Sequence, residues 1–193
     1  MEGMGGPGTA GTACVALLRG INVGGKNIIR MEVLRASFEA MGFSSVRTLI
    51  ASGNVVFRAA GADSRKLERA IEKALSHRHG YEGKVVVRNL EEYERMMRAI
   101  PPGWGGERGR RYYVIFLRHA IDRASVLGEL EVNAGVEEVR YVPGALLWSA
   151  RLDGLTQSKM SKVIARPIYG EMTVRNLNTT RKILELLREG AGF

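Results

Sequence analysis

Apolar positions along the chain switch between two spacings, and the switches mark out its elements. Ala13 to Leu18 is a short apolar run closed by Arg19 and Gly20, the pattern of a buried strand. Met31, Leu34, Phe38 and Met41 then recur at helical spacing, with Gly42 as a C-terminal stop. Val46 to Ile50 and Val55 to Phe57 are β-rich and flank Ala51-Ser52-Gly53-Asn54, which predicts a hairpin. Asp63 or Ser64 can cap a helix bearing Leu67, Ile71, Ala74 and Leu75 on one face. Val85 to Val87 reads as a further strand, and Leu90, Tyr93, Met97 and Ile100 as a further helix.

Pro101 to Gly109 holds two prolines and four glycines without periodicity and reads as a linker. After it the order recurs. Tyr112 to Leu117 predicts a strand and Ile121 to Leu130 a helix; Val136 to Val142 and Leu146 to Ser149 predict a hairpin turning at Pro143-Gly144. A helix over Lys159 to Ile168, broken or ended near Pro167, a strand over Met172 to Val174 and a helix over Leu177 to Leu187 complete the chain.

Matching residues tie the halves together. Leu18-Arg19 and Leu117-Arg118 close the two first strands, and Val46-Arg47 and Val139-Arg140 open the two hairpins. Val87-Arg88-Asn89-Leu90 recurs as Val174-Arg175-Asn176-Leu177 at the same strand-to-helix junction. These matches keep one order at offsets of about 90 residues, which indicates internal duplication. The expected fold is α+β, a tandem duplication of a ferredoxin-like β-α-β-β-α-β unit with antiparallel sheets. Residues 1–12 form an expected flexible tail, 13–100 the first half, 101–110 the linker and 111–193 the second half.

Composition adds limits. A single cysteine, Cys14, makes no internal disulfide, and no run of about 18 apolar residues spans a membrane. The glycine-rich start lacks the basic and apolar segments of a signal peptide, so a soluble, cytoplasmic protein is the default. The net charge of +9 is shared between the halves, with 15 Lys+Arg against 10 Asp+Glu in residues 1–100 and 14 against 10 thereafter. That excludes a basic arm and leaves a basic surface or a functional patch.

The densest polar segment is Arg19-Gly20-Ile21-Asn22-Val23-Gly24-Gly25-Lys26-Asn27. Exposed amides with Lys26 suit an anion. Gly20, Gly25 and Lys26 match the phosphate-loop spacing, but Asn27 stands where Ser or Thr must hold magnesium, and the expected sheet is antiparallel. In the split β-α-β topology Ser52 and Asn54 lie at the same sheet end as this loop. Arg19, Asn22, Lys26, Ser52 and Asn54 therefore form one candidate ligand cluster, against the simpler reading of a tight turn. Ser158 and Lys159 with Arg175, Asn176, Asn178 and Thr179 form a second, at one end of the second half. Helix capping accounts for the asparagines and threonine equally well.

Other chemistry finds less support. A lysine loop of the class I synthetase kind at Lys159-Met160-Ser161-Lys162 lacks the parallel nucleotide-binding domain it needs. The first half offers Leu17, Val55 and only Phe57 where an RNA-recognition unit needs stacking aromatics. Tyr112, Tyr113, Phe116 and Trp148 read as packing. His77, His79 and His119 show no metal-ligand spacing, and Glu171 reads as an exposed glutamate.

Several of these segments resemble a bacterial family known as domain of unknown function 1697. Leu17 through Asn27 is similar to its N-terminal signature, Val46-Arg47-Thr48 through Ser52-Gly53-Asn54-Val55-Val56-Phe57 to its second motif, and Ser158-Lys159 with Arg175-Asn176-Leu177-Asn178-Thr179 to its C-terminal ones. Leu177 departs from the tryptophan of the family pattern, which argues against an aromatic contact to ligand there. The resemblance implies the same fold boundaries and the same polar residues, and no reaction. The first functional expectation is therefore binding of a phosphorylated small molecule or nucleotide, with no cofactor and no metal. A nucleic-acid-binding module on the basic surface is second, and a structural or partner-binding protein without a ligand site is third.

Overall fold

The computed structural model describes residues 11–22, 27–50, 53–61 and 63–191. The first half contains β1 (Thr12–Leu18), α1 (Met31–Ala40), β2 (Ser44–Leu49), β3 (Asn54–Ala59), α2 (Ser64–His79), β4 (Val85–Asn89) and α3 (Leu90–Arg98). The second contains β5 (Arg110–Leu117), β6 (Glu137–Val142), β7 (Ala145–Arg151), α4 (Met160–Ile164), β8 (Met172–Asn176) and α5 (Leu177–Ala191). Two four-stranded antiparallel sheets result, ordered β2-β3-β1-β4 and β6-β7-β5-β8. Both show the ferredoxin-like order, so the α+β duplication holds.

The strand registers repeat residue for residue. Across the first sheet Arg47, Val56, Val15 and Arg88 stand in one row; across the second, Arg140, Leu147, Val114 and Arg175 do. β1 reads as a continuous apolar run because both its faces are covered. Cys14, Ala16 and Leu18 pack toward α1 and α2, while Ala13, Val15 and Leu17 join a second core built from both halves. That shared core includes Tyr93 and Met96 of α3, Ile183 and Leu187 of α5, and Val114, Phe116 and Leu147 of the second sheet. Helices α3 and α5 thus lie side by side between the sheets, and the Tyr93 ring stacks on Phe116 at 5.7 Å.

The repeated tetrapeptide has a structural explanation. Asn89 accepts from the Glu92 amide at 2.8 Å and Glu92 answers to the Asn89 amide at 2.9 Å, a capping box that starts α3. Asn176 accepts from the Thr179 amide at 2.7 Å and starts α5 the same way. The arginine before each asparagine crosses to the opposite half. Arg88 donates to the Leu117 carbonyl at the end of β5, and Arg175 donates to the Leu18 carbonyl at the end of β1, at 3.0 Å in the latter case.

The second half departs from expectation on its outer face. Ile121 to Leu130 is not an α-helix: residues 124–129 form a 3-10 turn with only Val126 buried. Gly128 weakens helix propensity there, and one anchor in six residues cannot hold a longer helix. The expected helix at 159–168 shrinks to the five residues of α4, because Pro167 forces Arg166 into extended backbone and opens a 3-10 turn over Pro167–Glu171. The β6-β7 turn is the one Pro143-Gly144 predicts, with Gly144 at φ 93°.

Candidate functional site

Both first-cluster loops tie back onto the end of β1. The Leu18 amide donates to the Gly53 carbonyl at 2.8 Å, so the β2-β3 turn sits beside the Arg19 loop. Gly53 has φ 72°, and a β-carbon there would come within 2.4 Å of Ile21. Asn22, at φ 54°, accepts from the Ile29 amide at 2.9 Å and donates to the Ile29 carbonyl at 3.0 Å. Asn27, at φ 50°, donates to the Gly20 carbonyl at 3.2 Å. Asparagine tolerates this left-handed backbone, but Ile50, also at φ 50°, is β-branched and strained. Lys26 and Ser52 lie outside the described residues.

Residues from the two candidate clusters meet across the halves. Arg175, 8% exposed, donates from Nε to the Asn54 side-chain oxygen at 2.5 Å and from Nη1 to Thr173 Oγ1 at 2.9 Å. Asn54 is fully buried and also donates to the Leu49 carbonyl, closing the hairpin at 2.9 Å. Burial lowers the Arg175 pKa to about 10. Arg19 donates from Nε to the Tyr169 carbonyl at 3.2 Å, and its guanidinium lies 4.9 Å over the Tyr169 ring. Arg19, Tyr169, Thr173 and Arg175 line one cavity of about 330 Å³ between the halves.

The rest of the second cluster is dispersed. Ser158 donates to Glu137 Oε2 at 2.5 Å and the Lys159 amide donates to Oε1 at 2.9 Å, which fixes both at the β6 edge. Glu137 also accepts from the Trp148 indole at 3.2 Å, so this carboxylate organises the corner. Two strands lie between β6 and β8, so they stand three inter-strand steps apart, about 14 Å at the usual spacing. Asn176 spends its side-chain oxygen on the helix cap, Asn178 is exposed, and Thr179 is 9% exposed.

Spacing alone did not point to Tyr169, or to a charged cluster joining the halves at the end of β5. His119 Nδ1 stands 2.8 Å from Glu68 Oε1 and its Nε2 3.4 Å from Glu92 Oε1. Arg88, 3% exposed, lies 3.5 Å from Glu68 and 3.7 Å from Asp122. Arg118 bridges Glu72, at 3.1 Å, and Glu171, so Glu171 is a half-buried ion-pair partner rather than a solvated glutamate. Burial opposes the His119 imidazolium, but the hydrogen bonds to Glu68 and Glu92 outweigh it and raise its pKa. Burial likewise disfavours the Glu92 carboxylate, yet bonds from His119, Ser64 and the Asn89 amide bring its pKa down to about 2. The sequence signal for Glu68 is its place four residues after Ser64 and three before Ile71, on the buried stripe of α2. No group of three or more His, Cys, Asp and Glu arranged for a metal occurs among the described residues. No described helix is long and apolar enough to cross a membrane.

Fold and geometry define an α+β protein of two ferredoxin-like units whose polar strand ends meet between the halves. Its sequence matches the model of the family DUF1697, proteins of unknown function, over residues 12–148, and the chain belongs to that family. The second cluster lies beyond the matched span. A solved structure of a conserved bacterial protein from Streptococcus pneumoniae is similar, with a TM-score of 0.81 and 26% identity over 92% of this chain and 99% of that one. Comparison with curated proteins gives no match.

Proposed function

We propose that the protein binds a small anionic ligand, phosphorylated or nucleotide-like, at the end of β1 where the halves meet. One observation carries this reading. Arg19 lines the cavity of about 330 Å³ and is anchored through Nε and the Tyr169 ring, while its two terminal nitrogens have no hydrogen-bond partner among the described residues. A planar guanidinium fork held this way suits bidentate recognition of phosphate or carboxylate. The volume falls within the range of small-ligand pockets. The strained, asparagine-tied loops at the same sheet end support it, and Lys26 and Ser52, between Asn22 and Asn27 and between Ile50 and Gly53, are proposed to add contacts. Ser158, Lys159, Asn178 and Thr179 are not needed by this site.

The test is a thermal-shift series with ATP, glucose 6-phosphate and a single-stranded oligonucleotide on wild type, Arg19→Gln and Lys26→Ala. A ligand at ten times its dissociation constant stabilises by ~1.4 kcal/mol. Wild type should gain that with a small anion, and both variants should lose most of it. Absence of any shift with the small anions would reject the site. A shift with the oligonucleotide alone, collapsing steeply with salt, would point instead to nucleic acid.

A further inference from the structure

The inner face of the second sheet is open along its β6 edge, at Glu138 and Arg140, where the matching edge of the first sheet meets α5 through the Arg47–Glu189 pair. Helices α3 and α5 start from the same tetrapeptide, but α3 has 9 residues and α5 has 15. Pro101-Pro102 end the shorter one, since proline lacks the amide a helix needs and its ring crowds the preceding turn. The chain then turns back, with the Trp104 amide on the Pro101 carbonyl at 3.1 Å, and runs into β5. This leaves a groove of about 480 Å³ between Pro101 and Trp104 on one side and Tyr112, Arg140, Leu147 and Ser149 on the other.

The first half shows what such a face holds when filled. Arg47 stands beside Val56 in its row as Arg140 stands beside Leu147 in the other. Arg47 receives the Glu189 carboxylate of α5 at 2.7 Å, and Arg58 nearby donates to the Gly190 carbonyl. That face therefore takes a carboxylate over an apolar floor. In the second sheet Leu147 is already covered, at 1% exposed, but Arg140 beside it is exposed with no hydrogen bond or ion pair among the described residues. Arg110, the groove's other arginine, is already matched by Glu138 at 3.4 Å, Glu107 at 3.8 Å and Ser149 at 2.9 Å. Trp104 and Tyr112 meet edge-on at 5.1 Å and give an aromatic wall.

We propose that this groove is a second binding site, for a small organic carboxylate with an apolar or planar body. The carboxylate pairs with the Arg140 fork, and the body lies against Trp104 and Tyr112. The volume is that of a small-ligand pocket.

Calorimetric titration of the full chain with phenylacetate, indole-3-acetate and octanoate, each beside its neutral amide, tests this. At least one acid should bind saturably, at least tenfold more tightly than its amide. Arg140→Gln should lose about tenfold with an unchanged unfolding curve, as expected for an exposed side chain. Trp104→Ala should weaken the aromatic acids more than octanoate, and Arg19→Gln should leave all of them alone. The proposal falls if every acid binds no better than its amide, or if Arg140→Gln binds as wild type does.

Discussion

Arg88 and Arg175 hold the same place in their halves, and each caps the end of the other half's first strand, yet they do so in different company. Arg88 lies among Glu68, Asp122 and His119. The bonds described for Arg175 go to Asn54, Thr173 and two carbonyls, all neutral. The exchange of arginines is the device the duplication preserved, because it satisfies the carbonyls that end β1 and β5 and locks the halves together. What diverged is the surrounding charge. One junction became a closed ion network, and the other became a neutral clasp beside a cavity.

The largest expected effect separates these two solutions. Glu68→Ala leaves the buried Arg88 with only Asp122 at 3.7 Å as ion-pair carboxylate and should cost up to ~3–5 kcal/mol, the usual penalty for breaking a buried pair from one side. Arg175→Ala removes its own charge and takes a donor from the buried Leu18 carbonyl and from Asn54, at ~1–3 kcal/mol for a buried group left unmet. Urea unfolding of both variants gives the comparison directly. If Glu68→Ala is nearly silent while Arg175→Ala unfolds the chain, the ion network is not what holds its junction.

A smaller effect belongs to His119, which faces Glu68 from α2, Glu92 from α3 and Arg88 from β4. Its folded pKa is raised, so its contribution is full below the unfolded histidine value of about 6.5 and is lost as pH rises through the folded value. Glu92, held at about 2, contributes above the unfolded carboxylate range and loses that as pH falls. Stability should therefore peak between these limits. His119→Gln should flatten the decline on the alkaline side, and an unaltered pH profile in that variant would remove the histidine from the junction's energetics.

Much of this architecture is legible in the chain before folding. Strands written as apolar runs, the two hairpin signals and the repeated Val-Arg-Asn-Leu suffice for the duplicated fold. Turn chemistry and that repeat also single out Arg19, Asn54 and Arg175, but not their meeting, which depends on how the halves pack. Pairing rules place Ser158 and Lys159 at the right sheet end, yet they cannot show that Glu137 holds them at its far edge. His119 and Glu68 are lone charged residues along the chain, and only long-range packing makes them partners. The outer face of the second half misleads because its segments carry helical spacing without the length or buried anchors to sustain a helix.

The smallest effect tests the comparison of the two inner faces. Arg47 and Glu189 are each more than half exposed, so their pair should be worth only ~0.2–1 kcal/mol. Arg47→Ala should cost about that much, and Arg140→Ala, with no partner among the described residues to lose, should stay within about 0.5 kcal/mol of wild type. A double-mutant cycle of Arg47 with Glu189 isolates the pair term, which should shrink with added salt. If Arg140→Ala costs as much as Arg47→Ala in the ligand-free chain, some part of the protein already occupies the Arg140 position, and the two faces are filled alike.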